Sequence, residues 1–158
     1  TARESASIRR EVINLGVTQT DASTRIGVGS YSDVYTRQVA QRQQFILGDT
    51  RSLDEVIREL AQMGYITSFC TAGYRCGRTG KCIMNLLKTG KEGHFCKLNA
   101  VLTFREWLDD FASEGTREAG EEIITREIEE VHKLIPEYFP ELINYYERIS
   151  GGERDLYF

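Results

Sequence analysis

The four cysteines of this 158-residue chain are its clearest candidates for chemistry, and all of them lie in one short window: Cys70, Cys76, Cys82 and Cys96. Their spacing, Cys-x5-Cys-x5-Cys-x13-Cys, lacks the paired CxxC hairpins of zinc ribbons. Thiolates from a loop and one distant position can hold an iron–sulfur cluster, and the intervening glycines would let backbone amides approach its sulfides. The pattern predicts a metal site, iron–sulfur ahead of zinc, with incidental cysteines as the alternative.

The two histidines add little to this site. His94 lies two residues before Cys96, where it is either a further ligand or an ordinary surface histidine. His132 falls in an acidic helical segment and is interpreted as scaffold. The sequence has no Ser–His–Asp order, P-loop or HExxH motif, so hydrolase and nucleotide-binding functions have no support from its residues.

The length of the chain indicates one domain, and its apolar content is 41%. No apolar run reaches the length of a membrane span and no signal peptide opens the chain, so the protein is expected to be cytoplasmic. Four close cysteines in a chain without a secretory signal favour metal chemistry over disulfides. Residues 1–104 carry a net charge of +5 and residues 105–158 a net charge of −9. The acidic half argues against a nucleic-acid partner, and the basic half suits an anionic cluster or ligand, or is an ordinary solvated surface.

The first fifty residues predict part of an α/β unit. A helix should begin at the N-cap Ser5 and end at Gly16, and a strand should follow over residues 17–22. Asp21 and Arg25 follow that strand, where barrel enzymes place active-site residues, although a turn aspartate and a surface arginine are the alternative. One such unit leaves its strand edges unpaired, so the chain is expected to be a fragment or to pair with a partner.

The remainder of the chain is predicted to be helical. Two capping boxes, Ser52–Glu55 and Thr103–Glu106, should each start a helix, and Gly115 should end the second one. The other expected segments are a partial helix over Arg37–Gln44 and helices over residues 82–88, 118–135 and 142–149, with a break at Pro136 and Pro140.

Long ordered stretches of the sequence carry a family resemblance. They are TARES with RREVINLGVTQ near the start, IGVGSY at 26–31, FILGDTRSLDEVI at 45–57, SFCTAGYRCGRTG at 68–80, CKLNAVLTFREWLDDFAS at 96–113 and GERDLYF at 152–158. In these stretches the chain resembles the C-terminal part of the HydG family. These are radical-SAM tyrosine lyases (2-iminoacetate synthase-like) that mature iron–iron hydrogenases.

The resemblance implies an α/β fold. Residues 1–47 would be the last part of a TIM-type β/α barrel with its connecting segment, and residues 48–158 a mainly α-helical auxiliary-cluster domain. The complete protein would cleave tyrosine, or a related amino acid, to p-cresol and a fragment that gives CO and cyanide to the hydrogenase, working with other hydrogenase maturation proteins. S-adenosyl-L-methionine and a second 4Fe–4S cluster would belong to a missing N-terminal barrel portion, since the CxxxCxxC motif is not in this chain.

The resemblance also implies an auxiliary 4Fe–4S cluster. The family holds it with a CxxC pair and one more distant cysteine. Cys70 and Cys96 match the outer positions, whereas Gly73 stands where the middle cysteine is expected. Cys76 is the nearer replacement and Cys82 the other. Three protein thiolates would leave one iron open to a non-protein ligand.

Arg3 and Asp21 are the candidate substrate-binding residues. Asp21-Ala22-Ser23-Thr24 stands where the family has a sequence close to Ser-Ala-Gly-Ser, so Asp21 adds a carboxylate at this position. A substrate other than tyrosine is therefore the alternative. Two further alternatives belong to other classes of protein. One is a helical binding module that has lost its cluster, and the other is a module with a structural zinc site.

Overall fold

The computed structural model describes residues 1–31, 40–69, 77 and 79–158. Within those ranges the chain forms six α-helices: α1 Ala6–Asn14, α2 Leu53–Gln62, α3 Gly80–Thr89, α4 Glu92–Phe111, α5 Glu114–Leu134 and α6 Phe139–Ser150. Short 3₁₀ turns occur at Ala40–Arg42 and Pro136–Tyr138. Among these helices, none is both long enough and apolar enough to cross a membrane.

The chain divides into two compact units, Thr1–Val56 and Ile57–Phe158. The division predicted from the family resemblance, 1–47 and 48–158, is a functional one and stays a prediction. Residues 37–39 of the partial helix predicted over Arg37–Gln44 lie outside the described residues, and within the remaining part Ala40–Arg42 form a 3₁₀ turn.

The helical part of the predicted fold is confirmed, but the α/β part is wrong for the residues described. No strand occurs in the described ranges, residues 17–22 included, so the described residues contain no part of a TIM-barrel sheet. A strand needs a neighbouring strand whose backbone groups continue the hydrogen-bond ladder. Here the local bonds go elsewhere: the Thr20 hydroxyl accepts from Arg9, and the Ser23 amide donates to the Arg51 carbonyl at 3.1 Å.

The first two predicted helix starts are confirmed. The Ser5 hydroxyl accepts a hydrogen bond from the Ile8 amide at 3.4 Å, and α1 ends just before Gly16, whose φ is +98°. At α2 the Ser52 hydroxyl accepts from the Glu55 amide at 3.2 Å, and the Glu55 carboxylate accepts from the Ser52 amide at 2.8 Å. Both starts are local features, which explains why the sequence indicates them directly.

The third predicted start, at Thr103, is wrong. Thr103 lies in the middle of α4, and its hydroxyl donates to the carbonyl of Asn99, four residues earlier, at 2.8 Å. The motif matches a capping box, but the buried side chains of Leu98 and Leu102 continue the apolar face on its N-terminal side. Gly115 likewise does not end this helix, because it lies in the first turn of α5.

The core of the Ile57–Phe158 unit is built around α4, which packs against both α5 and α6. Its most deeply buried apolar side chains come from these three helices, from α2 and from Ile135 directly after α5: Ile57, Leu98, Val101, Leu102, Phe104, Leu108, Ile124, Val131, Ile135, Leu142 and Ile149. At Gly120 of α5 an added Cβ would lie 2.5 Å from Leu108 Cδ1. The glycine therefore allows α4 and α5 to pack closely.

Alanine substitutions in the two Ser/Thr motifs form a matched test of which motif begins a helix. We expect Ser52→Ala to lower the free energy of unfolding by about 1 kcal/mol, because the first turn of α2 loses its cap. Thr103→Ala should change it by less than about 0.5 kcal/mol, because Thr103 caps nothing. Urea denaturation followed by circular dichroism measures both, and an equal loss in the two variants would contradict the assignment.

Candidate metal centre and polar clusters

The predicted metal ligands that the structure describes lie on the surface of two adjoining helices. Cys96 is exposed in the second turn of α4, and Cys82 is exposed in the first turn of α3, which packs against α4. His94, two residues before Cys96, is also exposed. Cys70 and Cys76, together with Gly73, lie outside the described residues.

These donors fit an iron–sulfur cluster in chemistry and in access. Both thiols reach solvent, outside the apolar core, so that a cluster and further ligands can approach them. Among the described residues no group of three or more His, Cys, Asp or Glu side chains converges as a metal site. A complete ligand set would therefore have to draw on Cys70 or Cys76, as the sequence predicts.

Lys97, directly after the predicted ligand Cys96, ties α4 to α5. Its ammonium group donates to Glu127 at 2.5 Å and also to Glu130. Burial disfavours the charged form of Lys97, but the two carboxylates outweigh that cost and raise its pKa. The backbone on one side of Cys96 is thus anchored by a half-buried ion triad, which the sequence analysis did not identify.

Phe95, the residue directly before Cys96, belongs to an aromatic cluster. The Phe95 ring meets Tyr138 edge-on with centroids 5.5 Å apart, and Tyr138 meets Phe158 edge-on at 6.1 Å. Phe158 also contacts Tyr145 at 5.3 Å. These four rings, here called the aromatic cluster, join the start of α4 to α6 and to the last residue of the sequence.

The final segment of the chain is fastened to α4 at three points. Arg154 forms two hydrogen bonds to Asp110, at 2.9 and 2.6 Å. The Asp155 amide donates to Glu106 at 2.8 Å, and burial raises the pKa of that carboxyl group despite this bond. At the third point the Phe158 amide donates to the Asn99 side-chain oxygen at 2.8 Å.

The predicted substrate residues lie in the Thr1–Val56 unit and contact different partners. The Asp21 carboxylate accepts hydrogen bonds from the Ala2 amide at 3.0 Å and the Thr24 hydroxyl at 2.9 Å. Burial opposes ionisation of Asp21, but these bonds outweigh it and lower the pKa. Arg3 is exposed, with its guanidinium 3.8 Å from the centroid of the Phe45 ring. A substrate-binding role for either residue stays a prediction.

A buried charge cluster that sequence analysis missed lies beside Asp21. Asp49 is 4% exposed, and its carboxylate accepts from Arg9 at 2.5 Å and from Arg51 at 2.8 and 3.0 Å. The hydrogen bonds from Arg51 are the main cause that lowers the pKa of Asp49 to about 2. Arg9, 6% exposed, also reaches Asp21. The cluster joins α1 to the segments around residues 21 and 49.

The structure as a whole is similar to that of a hydrogenase maturase. The solved protein is HydG, described as a maturase of the FeFe-hydrogenase, and its crystal structure matches with a TM-score of 0.87 and 39% sequence identity. The match covers 99% of this chain and 33% of the HydG chain, so this chain spans about one third of that protein. The resemblance to the C-terminal part of HydG that the sequence predicts is confirmed. No family model matches the chain, and no curated protein does.

Proposed function

We propose that this chain is the auxiliary-cluster segment of a HydG-like radical-SAM lyase. The observation that carries the proposal is the structural match to HydG over 99% of the chain at 39% identity. The exposed thiol of Cys96, in the second turn of α4, supports it as an accessible ligand. In this proposal Cys70, Cys76 and Cys96 hold a 4Fe–4S cluster, and Cys82 is the alternative to Cys76.

The proposed activity belongs to a complete protein. An N-terminal barrel portion would bind S-adenosyl-L-methionine and a second 4Fe–4S cluster, and would cleave tyrosine or a related amino acid. The auxiliary cluster, held by three thiolates, would offer an open iron that binds a product-derived ligand. The products would go to the hydrogenase through other maturation proteins in the cytoplasm.

The residues around Cys96 would position and shield the cluster. Lys97 fixes the backbone through Glu127 and Glu130, and Phe95 places an aromatic side chain on the opposite side. Such contacts orient a ligand and limit the access of water to a metal site. Asp21 already accepts hydrogen bonds from Ala2 and Thr24, so a role in substrate binding would require it to exchange one of them.

Anaerobic reconstitution with iron and sulfide tests the metal site. We expect the chain to take up a cluster visible by absorbance and EPR, and Cys96→Ala to lose most of the bound iron because one of three ligands is gone. Cys82→Ala is the matched control, since it removes another exposed thiol, and it should retain the cluster.

The other outcomes separate the competing assignments. Loss of iron in Cys82→Ala but not in Cys76→Ala would make Cys82 the third ligand. Unchanged cluster content in Cys96→Ala would refute the proposed ligand set. Stoichiometric zinc after purification in air would indicate a structural zinc site. A chain that takes up neither metal would be a cluster-less helical module.

A further inference from the structure

We propose that residues 154–158, the C-terminal strap, position the metal ligand Cys96 by bracing the N-terminal turns of α4. Asn99 and Phe158 are the positioning residues. This inference rests on the proposed function, because it assigns these residues a role toward the same metal site. Nothing in the ligand pattern of the sequence points to them.

The strap follows one face of α4. Its three attachment points, Asn99, Glu106 and Asp110, are seven and four residues apart, which places them on a single stripe of the helix. From Asn99 to Asp110 the helix rises about 16 Å, and an extended segment of the strap's length spans about 13 Å. The Arg154 side chain covers the difference. The strap therefore runs antiparallel to α4, and Asp155, with a φ of +65°, bends its backbone.

The strap ends at a buried polar side chain. Asn99 is 3% exposed, and its carboxamide both accepts from the Phe158 amide at 2.8 Å and donates to the Phe158 carbonyl oxygen at 3.3 Å. A buried carboxamide without partners is strongly unfavourable, so the position of Phe158 is well determined. The backbone of Phe158 is therefore fixed one turn beyond Cys96 along α4.

The Phe158 ring links this fixed backbone position to the residue next to Cys96. It contacts Tyr138, which in turn contacts Phe95, the residue directly before Cys96. Lys97, directly after Cys96, is held by Glu127. The backbone at Cys96 is thus supported on both sides, by the aromatic cluster and by the ion triad. An apolar wall beside a cluster also limits solvent access and changes its spectroscopic and redox properties.

Removing the ring tests the strap. In the reconstituted protein we expect Phe158→Ala to transfer iron to a chelator severalfold faster than the wild type and to alter the EPR signal, with the initial iron content retained. Phe158→Tyr should behave like the wild type. Phe111→Ala is the matched control, because it truncates a 72% exposed aromatic residue at the far end of α4, and it should have no effect. Equal rates of iron loss in Phe158→Ala and Phe111→Ala would overturn the proposal.

A second measurement needs no cluster and separates this inference from the proposed function. In metal-free protein, hydrogen exchange of the backbone amides around Cys96 is compared with that around Cys82 by peptide mass spectrometry. Phe158→Ala should raise the exchange rate around Cys96 severalfold relative to Cys82, because the supported turn opens more often. An unchanged ratio overturns the strap even where the wild type binds a cluster. A raised ratio in a protein that takes up no cluster supports the strap and refutes the metal site. Phe158→Leu replaces Phe158→Ala if circular dichroism shows that the latter does not fold.

Discussion

Replacing Asp49 by alanine should lower the free energy of unfolding of the Thr1–Val56 unit by about 3–5 kcal/mol, the range typical of a broken buried ion pair. Asp49 is the carboxylate that Arg9 and Arg51 share, and the Arg9 side chain is only 7% exposed. Without Asp49, the charge on Arg9 would stay buried, with the partly exposed Asp21 carboxylate at 3.5 Å and the neutral Thr20 hydroxyl as its partners. Urea denaturation measures the loss.

Arg51→Met is the control for Asp49→Ala. It removes the more exposed cation of the cluster, whose side chain is 23% exposed, and leaves the Arg9–Asp49 pair in place. We expect it to cost roughly 1 kcal/mol, in the range of a partly exposed pair. A loss below about 1 kcal/mol in Asp49→Ala would show that water reaches Arg9 and that the pair contributes little.

The effect of Asp49 should depend on pH in a defined window. Its pKa in the folded protein is about 2, below the ordinary value, so the folded state favours the ionised carboxylate. The stabilisation is therefore complete above about pH 4, where the unfolded-state group is also ionised, and it declines as the pH falls toward 2. The stability difference between wild type and Asp49→Ala should narrow in that window. A constant difference down to pH 2 would contradict the assignment.

Replacing Gly120 by alanine should lower the free energy of unfolding by about 1–3 kcal/mol, the usual cost of overpacking a core. The added Cβ would lie 2.5 and 2.6 Å from the two terminal carbons of Leu108, which is fully buried. Either Leu108 leaves its rotamer or α4 and α5 move apart. Thermal and urea denaturation should both report the loss.

Gly93→Ala is the matched control, because the same change is made in a helix where nothing lies within 4 Å of the added Cβ. We expect it to raise stability by about 0.5–1 kcal/mol through helix propensity. Combining Gly120→Ala with Leu108→Ala should cost less than the sum of the two single changes, since the contact is then relieved. Additive losses would show that the cost of Gly120→Ala does not come from contact with Leu108.

The helices could be predicted where their signals are local. Ser5 and Ser52 start helices because each serine caps the amide three residues further on, within reach of a short sequence pattern. The strand over residues 17–22 was predicted from β-branched residues, yet a strand depends on a pairing partner that such a pattern does not contain. Thr103 has the right pattern in the wrong place, because buried residues on both sides of it keep α4 continuous.

Of the candidate site, only the possible ligands could be predicted, from residue type and family resemblance. They predict Cys96, which is exposed, as a candidate ligand, but not the groups that pack beside it. Lys97 meets Glu127 across 30 residues of sequence, and Asn99 meets Phe158 across 59. Each of these contacts depends on how α4, α5 and the final segment pack, which no short pattern encodes.

The bond between Asn99 and Phe158 has a consequence for synthesis on the ribosome. Contacts between residues far apart in sequence form only after the intervening chain exists, so they are made late in folding. Helix α4 can form early, but its buried carboxamide stays without this partner until Phe158 itself has been made. Phe158 therefore completes the packing of the helix that carries Cys96, and folding of that region can finish only after translation has passed Phe158.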